Sequence, residues 1–281
     1  MRELAADRTV VGGAQPTRQR LGEQVASLLL QAIRLHEYLP DERLPSEAEL
    51  CEQLGVNRMA VREGLRWLED HKYVRMQRGR YGGALVLDPG LDLAADRLRG
   101  RAEDLRQLFE FRAAVEPLVA SLAAVRIEPV ELAMLDRLHE EERHWPSVPR
   151  GRFRAIDVAI HKAIAAACRN QYLIDAVRDI RVWLAPGLDL LDPSVDRRND
   201  SVECHGRLIA CLRAGDGAGA EAAMRAHIGV TAHAVEAALE SRTATGENQV
   251  ARSPRTAGKG ARRPAKTTAR PKAKAGPQTT T

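Results

Sequence analysis

Residues 44–87 leave this chain few ways to fold. LPSEAELCEQLG offers Ser46 as a helix cap and, three residues on, Glu49 to complete a capping box, so a short helix is expected there, closed by Gly55. Asn57 can cap a second helix running to about Asp70, with Val61, Leu65 and Leu68 as its apolar stripe. YVRMQRGRYGGALVLDP then reads as a hairpin, with a glycine-rich turn from Gly79 to Gly83 between an alternating segment and an apolar strand. Upstream, a helix is expected from Arg18 to His36, with Leu21, Val25, Leu28, Leu29, Ala32 and Ile33 on one face and Pro40 and Asp41 beyond its end. This order predicts a winged helix-turn-helix over residues 18–88.

The rest of the chain follows a different rule. Residues 89–100 read as a linker, and residues 101–240 carry the helical period in six segments. The breaks fall at Pro129, at Pro146 and Pro149, at Asn170, between Pro186 and Pro193, and at Gly215 to Gly217. Six helices and no strand predict an antiparallel helical bundle, and a mostly α protein. Residues 1–17 lack periodicity and read as a flexible arm. Residues 241–281 hold Val250 as their one large apolar side chain and are expected to form a disordered basic tail.

Charge is distributed unevenly. The net +5 divides into +9 for residues 241–281 and −4 for everything before them. Gly55 to Leu87 carries seven basic and three acidic residues, whereas residues 101–240 carry eighteen and twenty-two. Basic regions flanking an acidic body imply an anionic polymer contacted at one end. No apolar run reaches membrane-span length, and the N-terminus lacks the apolar core of a signal peptide. Cys51, Cys168, Cys204 and Cys211 are scattered without a Cys-x-x-Cys pair, so a reducing cytoplasm is expected, with the protein nucleoid-associated and no membrane partner.

Arg58, Arg62 and Arg66 recur every four residues on the second short helix, opposite its apolar stripe, and Arg75, Arg78 and Arg80 surround the hairpin glycines. An arginine-lined helix can enter the major groove and pair with guanine edges or clamp phosphates. RLPSEAELCEQLGVNRMAVREGLRWLEDHKYV followed by RGRYGG resembles the DNA-binding domain of the GntR superfamily of bacterial repressors, over about Leu21 to Leu87. That resemblance places DNA contacts at Ser46, Asn57, Arg58, Met59, Ala60, Arg62, Arg78 and Gly79. Ala48 stands where the family usually has an arginine, and Met59 and Ala60 where small hydroxyl residues are common.

In the bundle, Asp157 and His161 lie four residues apart on one helix face, while His205 and His227 fall on the last two helices. Imidazoles with a carboxylate suit Zn, Ni, Mn or Fe, although eight histidines in a helical chain also produce such a spacing by chance. DLRQLFEFRAAVEPLVASLAA, FRAIDVAIHKAIAAACRNQYL and ECHGRLIACLRAGDGAGAEAAMRAHI are similar to the FadR-type effector domain, FCD, over about Leu105 to Leu239. The resemblance implies a divalent metal ion held by Asp157, His161, His205 and His227, and argues against an acyl-CoA effector. Ile160 replaces the usual aromatic before the first histidine, and Cys204 the usual acid before the second.

Arg112 is the candidate effector-binding residue, set by the family to face the cavity, with a salt bridge to Glu116 as the alternative. Asn170 is expected to be a structural cap. The expected function is a non-enzymatic, ligand-responsive regulator. A homodimer binds a palindromic double-stranded DNA operator, and a small organic acid controls it. A metal-dependent hydrolase is disfavoured because no His-Glu-x-x-His occurs, and a nonspecific DNA-compacting protein because the helix-turn-helix is whole.

Overall fold

The structure is a computed structural model that describes residues 18–79, 82–98, 100–191 and 195–252. Among them, residues up to Thr243 form one compact unit and those from Ala244 a second. The expected wing residue Arg80, the arm of residues 1–17 and the tail beyond Arg252 lie outside the described residues.

The N-terminal half is built from α1 (Arg18–Arg34), α2 (Glu47–Leu54), α3 (Arg58–Asp70), β1 (Val74–Gln77) and β2 (Gly83–Val86). The Ser46–Glu49 capping box opens α2, and Gly55, with φ of 64°, closes it. Asn57 Oδ1 accepts the Ala60 N–H at 3.0 Å and caps α3. The strands pair antiparallel, Val74 opposite Val86 and Gln77 opposite Gly83, as a wing. Val25, Leu29, Leu50, Val61, Leu65, Leu68, Val74 and Val86 form one buried core. Leu28, expected on the buried face of α1, is instead exposed, because it lies on the edge of the stripe away from α3.

The helix pair α1 and α3 touches at Gly64. A Cβ there would lie 2.7 Å from Val25 Cγ1 and 3.0 Å from the Ala26 backbone nitrogen. Gly64→Ala is therefore expected to destabilise the domain by about 1–3 kcal/mol through overpacking, despite alanine's better helix propensity. Urea unfolding measures this, and a stabilised variant would show that α1 moves aside freely.

Residues 89–100, expected to be a linker, are largely helical. They contain α4 (Gly90–Leu98), because Asp88 Oδ1 accepts the Gly90 N–H at 2.9 Å and a short apolar face recurs at helical spacing. Ala94 and Leu98 of that face are buried with Ile180, Leu184 and Leu188. The bundle comprises α5 (Ala102–Ala124), α6 (Pro129–Arg143), α7 (Arg150–Ala167), α8 (Gln171–Asp189), α9 (Val195–Ala214) and α10 (Gly217–Arg252). Its main core includes Val119, Ala123, Leu135, Ile156, Ile160, Ile164, Leu208, Leu212 and Ile228. Asn170 caps α8, accepting from the N–H groups of Tyr172 and Leu173. Helix α10 continues past the expected boundary at Ser241 to Arg252, since the first proline of that region is Pro254. No helix among the described residues is long and apolar enough to cross a membrane.

Candidate functional site

Three elements converge on one point inside the bundle. Helix α7 supplies Asp157 and His161 from one face, α9 supplies His205, and α10 supplies His227. One donor atom from each lies within 4.8 Å of all the others. His161 Nε2 is 3.2 Å from His227 Nε2, and Asp157 Oδ1 is 3.9 Å from His161 Nε2 and 3.7 Å from His205 Nε2. Donors that share one small cation at bond lengths of about 2.0–2.2 Å stand about 3–4 Å apart, so the spacing fits.

Two glutamates outside this group orient the rings. His205 Nδ1 contacts both oxygens of Glu142, at 2.9 and 3.0 Å, and both residues are buried. His161 Nδ1 lies 2.7 Å from Glu116 Oε2, within ion-pair range though off the line of a good hydrogen bond. With Nδ1 facing a carboxylate, the ring proton belongs there and the Nε2 lone pair points inward. His205 Nε2 is a buried nitrogen without a hydrogen-bond partner, Asp157 Oδ1 standing off at 3.7 Å. Inward lone pairs and an orphaned nitrogen are a donor set suited to a cation.

The charges divide accordingly. Burial pushes His161 down to about 4, with Arg181 adding to it and Glu116 opposing. Burial and then the imidazoles of His205 and His161 hold His227 well below its ordinary value. Burial also depresses His205, but Glu142 more than reverses this and holds the ring above its usual range. Burial raises the Asp157 carboxyl, yet the ion pair with Arg181 and the neighbouring imidazoles keep it well below the usual carboxylate range.

Arg112 forms the alternative salt bridge with Glu116 and also lines a cavity. Its Nε donates to Glu116 Oε1 at 2.6 Å, while Nη1 and Nη2 are buried without hydrogen-bond partners. Arg112, Asp157, Arg181 and His227 line a cavity of about 80 Å³ between the helices. Glu142 and Arg181 carry no sequence signal for this site, and Glu116 only that of a partner for Arg112. Glu142 stands in the charged run HEEER, where nothing distinguishes the buried acid from its exposed neighbours.

In the N-terminal half, Arg58, Arg62 and Arg66 project from the exposed face of α3, opposite buried Val61, Leu65 and Leu68. Arg62 Nε is 2.9 Å from Glu47 Oε2 of α2. Ser46, Asn57, Met59, Arg78 and Gly79 are exposed, Gly79 with φ of 108° in the hairpin turn. Ala60 is placed differently from the other expected contacts. It is 2% exposed and packs into the core, which removes its methyl group from the arginine face.

The two halves meet at the start of α7. Pro40 packs on Gly151, where a Cβ would lie 2.9 Å from Pro40 Cδ. Glu37 pairs with Lys162 at 3.4 Å and Asp88 with Arg150 at 3.7 Å. His36, with φ of 53°, sits just past the end of α1. Burial, then Arg154 and Arg181, hold its imidazole down at about 4, with Asp157 opposing and Arg150 adding slightly. The unfolded chain therefore takes up this proton first, so stability present at neutral pH is lost as pH falls from 6.5 toward 4. His36→Asn, which tolerates the left-handed backbone, is expected to remove on the order of 1–2 kcal/mol of the stability lost between about pH 7 and pH 5. Urea unfolding at the two pH values checks this, and parallel losses in both proteins would contradict it.

Comparison with known proteins agrees with this division. Residues 21–82 match the family "Bacterial regulatory proteins, gntR family", and residues 107–230 match the FCD domain. The Uxu operon transcriptional regulator of Escherichia coli is 32% identical over 225 residues, covering 75% of this chain and 84% of that protein. An HTH-type transcriptional regulator of Mycobacterium tuberculosis is 34% identical over 164 residues, covering 56% of this chain and 66% of that one. The transcriptional repressor NanR of Cronobacter sakazakii is 26% identical over 226 residues, covering 77% and 86%. With a gntR-type DNA-binding half joined to an FCD domain, the chain belongs to the GntR family of bacterial transcription regulators.

Proposed function

We propose that the protein is a ligand-responsive repressor that binds a palindromic operator as a homodimer and releases it when a small carboxylate occupies the C-terminal domain. The observation that carries this reading is the convergence of four donor atoms within 4.8 Å beside a cavity faced by the unpartnered Nη atoms of Arg112. Asp157, His161, His205 and His227 would hold a divalent metal of the Zn, Ni, Mn or Fe group. When bound, such an ion supplies charge and a position open to a carboxylate oxygen. Glu116 and Glu142 keep the imidazoles turned toward it, and Arg112 meets the effector with its remaining donors. The name of the relative NanR, a transcriptional repressor, supports the direction of control.

Asp157 and His161 share α7 with Gly151, the contact point for the DNA-binding half, so an effector that shifts α7 shifts that half too. Control follows if the effector's affinity differs between the two arrangements. Operator contact is assigned to Arg58, Arg62 and Arg78, with Ser46, Asn57, Met59 and Gly79 around them. Elemental analysis of protein purified without an affinity tag is expected to find about one divalent metal per chain. Substoichiometric metal that the effector response ignores would refute the metal-linked reading. Arg62→Ala is expected to cost about 1–3 kcal/mol at the operator and much less on random DNA. Equal losses on both would make Arg62 a phosphate contact.

A further inference from the structure

We infer that a second copy of this chain docks on the outer face of α5, the two α5 helices lying antiparallel with Phe111 of one copy opposite Leu118 of the other. The inference rests on the homodimer of the proposed function and names the surface that forms it. Single exposed apolar side chains are ordinary on a protein surface, whereas a continuous uncharged row is not. Between Phe111 and Val125 the only charged residues are Arg112 and Glu116, and both are buried. The outer face of α5 therefore carries no charge over about four turns. Phe111, Ala114, Leu118 and Val125 lie along it at spacings of three, four and seven, which is one side of a helix. Phe111 is 42% exposed and Leu118 49%.

Helix α8 widens the patch. Leu105 and Leu108 of α5 are buried in one cluster with Ile180 and Leu184 of α8. On the outside, Trp183 of α8 is 52% exposed and lines a surface groove together with Phe111, Leu108 and Pro186. Charges stand at the ends of the row, with Glu103, Asp104 and Glu110 before it and Arg126 after it, all exposed. An apolar, aromatic centre with charge confined to the edge is the composition of an interface core and its rim. The two ends are opposite in sign, and this selects a second copy as the occupant. When α5 meets itself antiparallel about a two-fold axis near Ala114, the acidic first turn of each copy faces Arg126 of the other. The small Ala114 at the axis lets the two helices approach closely. Glu103 and Asp104 also pair with Arg106 and Arg101 of their own helix, and Arg126 donates to the Cys168 carbonyl. The end charges therefore set register, while the apolar row supplies affinity.

The test is sedimentation equilibrium of the full-length protein as wild type, Phe111→Glu and Leu118→Arg, each fold checked by its melting curve. Either variant puts a charge into the centre of the interface twice per dimer and should weaken self-association about thirty-fold or more. Mixed together, the two variants should associate again. The antiparallel register sets the new carboxylate of one copy opposite the new guanidinium of the other, and leaves a native Phe111 facing a native Leu118. Should either variant lose its melting transition, Ala114→Cys decides, since mild oxidation links two copies across the axis when the α5 faces meet and leaves them unlinked when they do not. A wild-type dimer that both variants leave intact overturns this inference and leaves the homodimer to another surface. Variants that dissociate and stay apart on mixing overturn the antiparallel register and the inference with it. A wild type that remains monomeric up to about 100 μM overturns both the inference and the homodimer.

Discussion

Replacing Arg112 with methionine is expected to lower the unfolding free energy by about 3–5 kcal/mol, the cost of leaving one partner of a buried ion pair alone. Arg112 and Glu116 are fully buried, one turn apart on α5, and joined at 2.6 Å. Methionine fills much of the volume, so the loss reports charge more than cavity. Glu116 would keep its contact with His161 at 2.7 Å, and with it an unbalanced negative charge in the core. Adding Glu116→Gln should recover part of the loss, because removing both charges is gentler than removing one. Recovery should be incomplete, since His161 then loses the carboxylate behind Nδ1. Urea unfolding of the full chain measures all three proteins. A loss below about 1 kcal/mol would mean that water reaches the pair.

Stripping the proposed metal is expected to give the second large effect. If free metal stands near a thousand times its dissociation constant, binding contributes about 4 kcal/mol to the folded state. For a domain of this size that corresponds to a fall in Tm of about 8–16 °C on chelation. His205→Ala should melt near the chelated protein and respond little to chelator. The dependence on pH has a definite sign. Glu142 holds the His205 ring above its ordinary value, so a cation must displace that proton and affinity falls as pH falls. Coincident melting curves with and without chelator would leave the three histidines as polar groups of the cavity wall.

The DNA-binding half was legible because its signals are local. The Ser46–Glu49 box, Gly55 and Asn57 each act within four residues, and the structure places a helix boundary at each. The four candidate ligands were legible from residue type and family likeness, and the fold brings them together. What escaped depends on distance in space. Glu142 and Arg181 resemble any surface charge in sequence, and burial by several helices at once gives them their roles, whereas Glu116 was legible only as a partner for Arg112. Helix α4 escaped for the same reason, because nine residues seldom hold a helix without the α8 surface beneath them. Ala60 shows the opposite error, a recognition-helix position whose side chain turns inward.

The contact of Pro40 with Gly151 has an evolutionary consequence. The glycine cannot gain even a methyl group unless the proline moves, since that Cβ would stand 2.9 Å from it. The same rigid rod carries Asp157 less than two turns further on, so the seam and the ligand chamber cannot drift independently. On the proposed function, a lineage that acquires a new effector can alter the cavity lining while keeping the seam intact. Retuning how strongly occupancy is felt at the operator, by contrast, concentrates on the proline, the glycine and the Glu37–Lys162 pair. On the proposed function, the residues that set ligand choice and those that set signal strength are thereby distinct, with α7 as the element that joins them.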